Sequence, residues 1–166
     1  MSARALFTLA VAVALAGALA AVSVAWDGAG PSREGAVRGA CTAAATKTLV
    51  RAFVRGYDHG QVEAIERMWA HAPRFQWFSA GPPGARVGRR AYDRSTLVAY
   101  FRARVRAKEQ IRLTHLVAGY DPTRDIVNFS GKLVRSAKGI RPRGPKDFKG
   151  AADCLSGRPV LIVWSM

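Results

Sequence analysis

The stretch from Thr46 to Ser79 constrains the fold more than any other part of the chain. Apolar residues recur there at spacings of three and four, the pattern of one buried helix face: Leu49, Val50, Phe53, Val54 and Tyr57. Thr42 is the expected N-cap, because its hydroxyl can accept a hydrogen bond from an amide of the first turn. Gly60 favours the left-handed conformation in which many helices end. The sequence therefore predicts a long amphipathic helix between Thr42 and Gly60.

A shorter helix and a strand are predicted directly after the long helix. The shorter helix ends before Pro73, and its buried side consists of Val62, Ile65, Met68 and Trp69. From Arg74 onwards the side chains alternate as they do along a strand. This alternation would place Phe75, Trp77 and Ser79 on one strand face and Gln76 and Phe78 on the other.

One further helix and a series of strands complete the predicted order. Asp93 or Ser95 caps a helix that runs to about Lys108. The apolar period then changes to two, which predicts strands at residues 111–119, 126–137, 148–154 and 159–165; a short return strand is predicted at 86–90. Helices followed by consecutive strands indicate an α+β domain with helices packed on one face of an antiparallel sheet.

The N-terminal residues have the composition of a secretory leader. Arg4 is the only charged residue before Asp27, and the segment between them is apolar and rich in Ala. Ser23-Val24-Ala25 satisfies the small-x-small rule, so cleavage is expected after Ala25; Ala18-Leu19-Ala20 is a second possible cleavage site. An uncleaved membrane anchor is the alternative, because about 20 apolar residues can span a bilayer. We expect a secreted or cell-envelope protein composed of a leader or anchor at 1–25, a flexible linker at 26–40 and one domain at 41–166.

The chain is strongly basic, with 26 basic residues, 11 acidic residues and a formal net charge of +15. Such a charge attracts polyanions, so an anionic surface is a candidate partner. The segment that would contact it contains Lys132, Arg135, Lys138, Arg141, Arg143, Lys146 and Lys149. Nucleic acid is disfavoured, because the basic residues are spread over every element instead of forming one arm with interleaved aromatics. A compositional origin stays open, since 20 of the 26 basic residues are Arg in a sequence rich in Ala and Gly.

The two cysteines, Cys41 and Cys154, are predicted to form a disulfide. An exported chain enters an oxidising compartment, where an even cysteine count favours pairing; two free buried thiols are the alternative. The three histidines, His59, His71 and His115, show no ligand-like spacing among themselves or with the cysteines. Neither a metal site nor a cofactor is therefore predicted.

The order of elements, with GQVEAIERMWA followed by FQWFS, resembles the nuclear-transport-factor-2-like superfamily and in particular its SnoaL-like polyketide cyclase branch. That superfamily includes ketosteroid isomerases, dehydratases, cyclases and binding modules without catalysis. The resemblance implies a cone-shaped, strongly curved antiparallel sheet wrapped around the long N-terminal helix, with a pocket between them. It also implies a homodimer formed through the outer face of the sheet. One departure is Gly60-Gln61, where the family usually has a Gly-Asp pair.

The catalytic base of the related isomerases is missing from this sequence. Isomerases of the superfamily carry a carboxylate on the first strand, and residues 74–79 contain no Asp or Glu. His115 is a weak catalytic candidate, because Ile111, Leu113, His115 and Val117 alternate onto one strand face; Asp153 or Asp58 would be its partner. A cyclase, dehydratase or isomerase that acts on a small apolar substrate is therefore the alternative function.

A binding function, in contrast, needs only a suitable pocket wall, and the sequence contains the residues for one. The expected pocket wall combines aromatic surface with a few polar groups, as small-molecule cavities do: Tyr57, Phe75, Trp77, Tyr100, His115, Asn128, Ser130 and Trp164. The alternative is that these side chains simply fill the core. We expect an exported or envelope-tethered domain that binds a small, largely apolar ligand or mediates assembly, without chemistry of its own.

Overall fold

The computed structural model describes residues 41–80, 89–91, 93–140, 142, 144–154 and 157–166. The predicted leader and linker, Arg141, Arg143 and residues 81–88, which include the start of the predicted return strand at 86–90, lie outside the described residues. The described residues contain three helices, α1 (Ala43–Asp58), α2 (Val62–Glu66) and α3 (Arg94–Arg106). Within the described part of the chain, no helix is both long enough and apolar enough to cross a bilayer.

The predicted helix ends are confirmed where local chemistry determines them. The Thr42 hydroxyl accepts a hydrogen bond from the Ala45 amide at 3.0 Å, so it caps α1. Gly60, with φ of +67°, lies in the left-handed region just after α1. The Asp93 carboxylate accepts from the Thr96 amide at 2.8 Å and caps α3. These residues act through neighbours three or four positions away, which is why the sequence alone predicts them.

Six strands form one sheet in the order β2-β1-β6-β5-β4-β3. They are β1 (Trp77–Ala80), β2 (Arg89–Ala91), β3 (Gln110–Asp121), β4 (Ile126–Ser136), β5 (Lys146–Asp153) and β6 (Val160–Ser165). The α+β class is confirmed. An antiparallel sheet was predicted, but the sheet is mixed. The last strand, β6, lies beside β1 and runs parallel to it.

The helices pack on one side of the sheet, which we call the helix-facing side. The ring of Phe53 in α1 lies at its centre, with centroids 4.8 Å from Trp164, 5.7 Å from Phe101 and 6.0 Å from Trp69. All four side chains are at most 1% exposed. Burial of each such ring contributes about 2–3 kcal/mol of stability, and the tilted and edge-to-face ring pairs add to it. The Phe53 cluster is therefore the main hydrophobic contact between helices and sheet.

The first strand is shorter than predicted, and this changes its faces. Backbone hydrogen bonds from Arg74 and Phe75 to the His71 carbonyl form a turn, so the strand begins only at Trp77. Phe75 is buried against Trp69, with ring centroids 5.6 Å apart. Trp77 pairs in register with Val163 and faces away from the helices. The prediction that Phe75 and Trp77 share a strand face is therefore wrong.

A β-bulge in β3 reverses the predicted orientation of His115. Leu113 pairs with Leu133, whereas His115 pairs with Lys132, so Thr114 is the extra residue. Beyond the bulge, His115 lies on the side of the sheet opposite the helices. The prediction that Ile111, Leu113, His115 and Val117 share one face is therefore wrong, because a one-residue slip moves every later side chain to the other face.

Glycines on the helix-facing side allow this close packing. A Cβ atom at Gly131 would collide with the His115 carbonyl at the bulge and with the Phe148 ring. A Cβ atom at Gly150 would collide with the Val163 carbonyl and the Phe129 ring. The strands can therefore pass beneath the aromatic rings only because these two positions carry no side chain.

The predicted disulfide between Cys41 and Cys154 is confirmed. It joins the start of α1 to the end of β5, and both residues are buried beside Val127. A disulfide of this kind indicates an oxidising environment.

We expect replacement of both cysteines by Ala to lower the free energy of unfolding by about 4 kcal/mol, because the bridge closes a loop of 113 residues. Urea unfolding measures the loss. A reducing agent should destabilise the natural chain by a similar amount and leave the Cys41→Ala/Cys154→Ala variant unchanged. Equal stability of the oxidised and reduced natural chain would contradict a stabilising role for the bridge.

Candidate functional site

The side of the sheet opposite the helices, which we call the open face, carries a wide groove. Its volume is about 940 Å³, and residues of β3, β4, β5, β6 and β1 all line it. One groove can contact five neighbouring strands only if the open face is concave there. Small-molecule sites commonly measure about 300–1,000 Å³. The groove is thus large enough for a small organic ligand.

Strand register arranges the groove side chains in two rows. The first row runs across four strands: the polar Asn128 lies at its end on β4, and Ala151, Val163 and Trp77 continue it as the apolar row. The adjacent polar row runs across three strands and consists of Ser130, Lys149 and Ser165. Directly opposed residues on neighbouring strands have Cβ atoms roughly 4.5–5.5 Å apart, so each row is continuous. The groove is amphipathic across its width.

A second cavity of about 510 Å³ adjoins the groove on the open face. The two share Val117, Ser130 and Lys149, and the second cavity also contacts His115 and Ser165. Two further charged residues line this cavity, Lys132 and Asp147, and they pair with each other: the ammonium of Lys132 donates to the carboxylate of Asp147 at 2.9 Å. The polar row therefore lies where the two cavities meet.

Arg124 and Lys149 are the charged side chains that line the groove in the described part of the chain. Arg124 belongs to the β3–β4 turn, which also contains Asp125 and directly follows Asp121, the last residue of β3. That turn therefore carries no excess of positive charge. Lys149 has neither an ion pair nor a side-chain hydrogen bond with any described residue. The uncompensated positive charge of the groove lies at Lys149.

The structure divides the eight predicted ligand-binding residues between the two sides of the sheet. Four line the open-face cavities: Trp77, His115, Asn128 and Ser130. The other four belong to the helix-facing core and are at most 8% exposed: Tyr57, Phe75, Tyr100 and Trp164. The described groove is therefore on the opposite side of the sheet from the predicted pocket.

The candidate catalytic residues are not brought together. His115 pairs with Lys132 and Asp153 with Ile126, which places them six residues apart along β4, or about 20 Å. Asp153 forms an ion pair with Arg74 at 2.7 Å. Within residues 41–166 as described, no three His, Cys, Asp or Glu side chains cluster as a metal site requires.

Asp58, the remaining candidate, lines a smaller pocket of about 290 Å³ together with Tyr57 and Glu109. Its carboxylate accepts a hydrogen bond from the Ile111 amide at 2.7 Å, which ties the end of α1 to the start of β3. Partial burial raises the pKa of Asp58 and outweighs the opposing effect of that hydrogen bond. Burial likewise raises the pKa of Tyr57, whose hydroxyl has no hydrogen-bond partner among the described residues. Asp58 thus has a structural role as a backbone acceptor.

A buried ion-pair network adjoins this pocket, and sequence reasoning missed it. The Glu109 carboxylate is fully buried and accepts hydrogen bonds from Arg104 at 3.0 Å and Arg135 at 2.7 Å. The Arg104 guanidinium also lies over the Tyr100 ring, 5.5 Å from its centroid. Arg135 is therefore committed to the core, so one member of the predicted anionic-surface segment does not belong to that surface.

We expect Asp58→Asn to fold with at least the natural stability at neutral pH, because Asn keeps the oxygen that accepts from Ile111. The folded-state pKa of Asp58 lies above its ordinary value of 3.8, so the ionised carboxylate costs stability. The advantage of the Asn variant should therefore appear as the pH rises from about 4 through the raised pKa, and then level off. Urea unfolding between pH 3 and 8 measures it.

Asp58→Ala is the matched control for this prediction. It loses the bond to Ile111 and should be about 1 kcal/mol less stable than Asp58→Asn at every pH. Equal stability of the two variants would show that the Ile111 bond contributes nothing. A lower stability of Asp58→Asn at neutral pH would show that the charge of Asp58 is itself stabilising.

No protein-family model and no curated protein matches the chain. Solved structures do resemble it. A protein of unknown function from Mycobacterium tuberculosis has 13% identity and a TM-score of 0.58, with 74% of this chain and 72% of that chain covered. A nuclear-transport-factor-2-like protein of unknown function from Shewanella oneidensis has 8% identity and a TM-score of 0.57, with 74% and 95% covered.

A third similar structure is the orange carotenoid protein of Anabaena (Nostoc), described as binding canthaxanthin. It has 8% identity and a TM-score of 0.54, with 70% of this chain and 34% of that chain covered. At these identities the likeness concerns the fold. The chain has the nuclear-transport-factor-2-like fold, as its element order predicted.

Proposed function

We propose that this chain, which has the nuclear-transport-factor-2-like fold, is an exported or envelope-tethered domain that binds a small, largely apolar ligand without chemistry of its own. The observation that carries the proposal is the amphipathic groove on the open face. It presents an indole and aliphatic side chains beside neutral polar groups, and it is wide enough for a small organic molecule. The carotenoid bound by one protein of this fold supports an apolar ligand.

The absence of a reaction is proposed from the positions of the titratable candidates. Asp153 is paired with Arg74, and Asp58 is bonded to a backbone amide. His115 is exposed and lies about 20 Å from Asp153 along the sheet. A general acid–base pair needs its members within hydrogen-bond reach of one substrate, which this spacing does not allow.

The placement outside the cytoplasm is proposed from two independent features. The first 25 residues have the composition of a leader, and the Cys41–Cys154 disulfide fits an oxidising compartment.

We expect the protein isolated from its native cells to appear in the envelope or the medium and to begin at Trp26. Intact mass spectrometry measures the N-terminus. A chain that retains residues 1–25 in the membrane fraction would indicate the anchor, and a soluble cytoplasmic chain would refute export.

We expect Asn128→Trp to weaken binding of a neutral apolar dye, N-phenyl-1-naphthylamine, by at least about tenfold. Asn128 is exposed in the middle of the groove, and an indole there would occupy the space of the ligand. Dye fluorescence measures the Kd, and a tenfold change corresponds to about 1.4 kcal/mol.

The matched control is Val134→Trp, since Val134 lies on the same face of the same strand but outside the groove. It should bind the dye as the natural chain does. Urea unfolding confirms that both variants fold. Equal weakening by both substitutions, or by neither, would refute the groove as the binding site.

A further inference from the structure

The lining of the groove combines the positive charge of Lys149 with apolar side chains. We infer that the ligand carries one anionic group, held by Lys149 together with the hydroxyls of Ser130 and Ser165, while its apolar part lies along the row that ends at Trp77. This inference rests on the proposed ligand-binding function and names the chemical class of the ligand: a dissolved amphiphile with a single carboxylate, sulfonate or similar anion.

The geometry of the polar row supports an anion. Lys149 on β5 pairs in register with Ser130 on β4 and with Ser165 on β6, so the Lys149 side chain leaves the sheet between two serine side chains on one face. An ammonium and a hydroxyl both donate hydrogen bonds, and those to an ionised oxygen are the stronger kind. No described residue accepts a hydrogen bond from these three side chains. Their donors are thus available to a ligand.

Neighbouring charges do not cancel that of Lys149. The nearest described carboxylate on this face, that of Asp147, accepts from Lys132 at 2.9 Å. His115 also faces the second cavity and adds no negative charge. An anion at the polar row would therefore meet Lys149 as an uncompensated cation.

The apolar row supplies the other half of the ligand's chemistry. Ala151 and Val163 are the next open-face residues beside Lys149 and Ser165, and Trp77 extends the row onto β1. A molecule whose anion lies at Lys149 can therefore lay its apolar part across three strands. Burial of that apolar surface adds to the affinity that the anion provides.

A small amphiphile fits this face better than a second copy of the chain or a membrane does. A symmetric dimer through the open face would bring two copies of the Lys149 row together, and the chain is strongly basic as a whole. A bilayer surface is flat on this scale, whereas the groove is concave across five strands. The occupant that matches both its shape and its charge is a single small anion with an apolar body.

A pair of dyes that share one aromatic framework tests the inference on the full chain. 8-Anilinonaphthalene-1-sulfonate carries a sulfonate, and N-phenyl-1-naphthylamine lacks it. We expect the sulfonate dye to bind about tenfold more tightly, which corresponds to about 1.4 kcal/mol. Decanoate should displace either dye at lower concentration than decanol does.

Two matched variants separate the site from the general charge of the protein. Lys149→Gln should abolish the preference for the sulfonate dye, so that the two dyes bind this variant with equal Kd values. Lys138→Gln removes one positive charge from an exposed position that lines neither cavity, so the preference should persist. Both side chains are exposed, and urea unfolding confirms that both variants are folded.

Each outcome has one meaning. Failure of both dyes to bind refutes the proposed function itself. Equal Kd values for the two dyes leave the proposed function standing and overturn the anionic ligand. Equal loss of preference in the two Lys variants shows attraction by net charge alone and also overturns it. Binding that requires anionic vesicles, or dye binding that vanishes as sedimentation shows a dimer form, assigns the face to a membrane or to a second copy instead.

Discussion

The aromatic rings packed around Phe53 and Trp164 determine which side chains β1, β4, β5 and β6 place on the open face. Since a strand alternates its side chains, a residue that points its ring at α1 sends both neighbours to the open face. Phe78 faces the helices beside Trp164, and so Trp77 must face outward beside Val163. The core therefore determines which side chains lie on the open face. The two rows of the open face consist mainly of residues that flank the buried rings along the strands.

This dependence explains which parts of the fold are predictable. Thr42, Gly60 and Asp93 define helix ends through bonds or backbone angles within four residues, so their roles can be identified from the sequence. The disulfide was predictable from cysteine count and the expected compartment. The parallel pairing of β1 with β6 was not, because it depends on contacts between residues about 85 positions apart.

The site was predicted less well than the fold, for a specific physical reason. A single extra residue, Thr114, reverses the facing of His115 and of everything after it in β3. The signal that could have revealed the bulge lies on the neighbouring strand, where Gly131 leaves room for the displaced carbonyl of His115. The buried Glu109 gave no such signal, because its two arginine partners come from α3 and β4 and meet it only after folding.

Several of the positive charges are held in ion pairs within the fold, and these differ in role from a cation without such a partner. Arg135 and Arg104 share the one carboxylate of Glu109 in the core, Arg74 pairs with Asp153, and Lys132 pairs with Asp147. Each of these cations is occupied within the fold. Lys149 differs, because it lies in a concave surface between two serine side chains and beside an apolar row. A positive charge acquires specificity from such surroundings, since a simple polyanion would gain nothing from the apolar row, whereas an amphiphilic anion would use both.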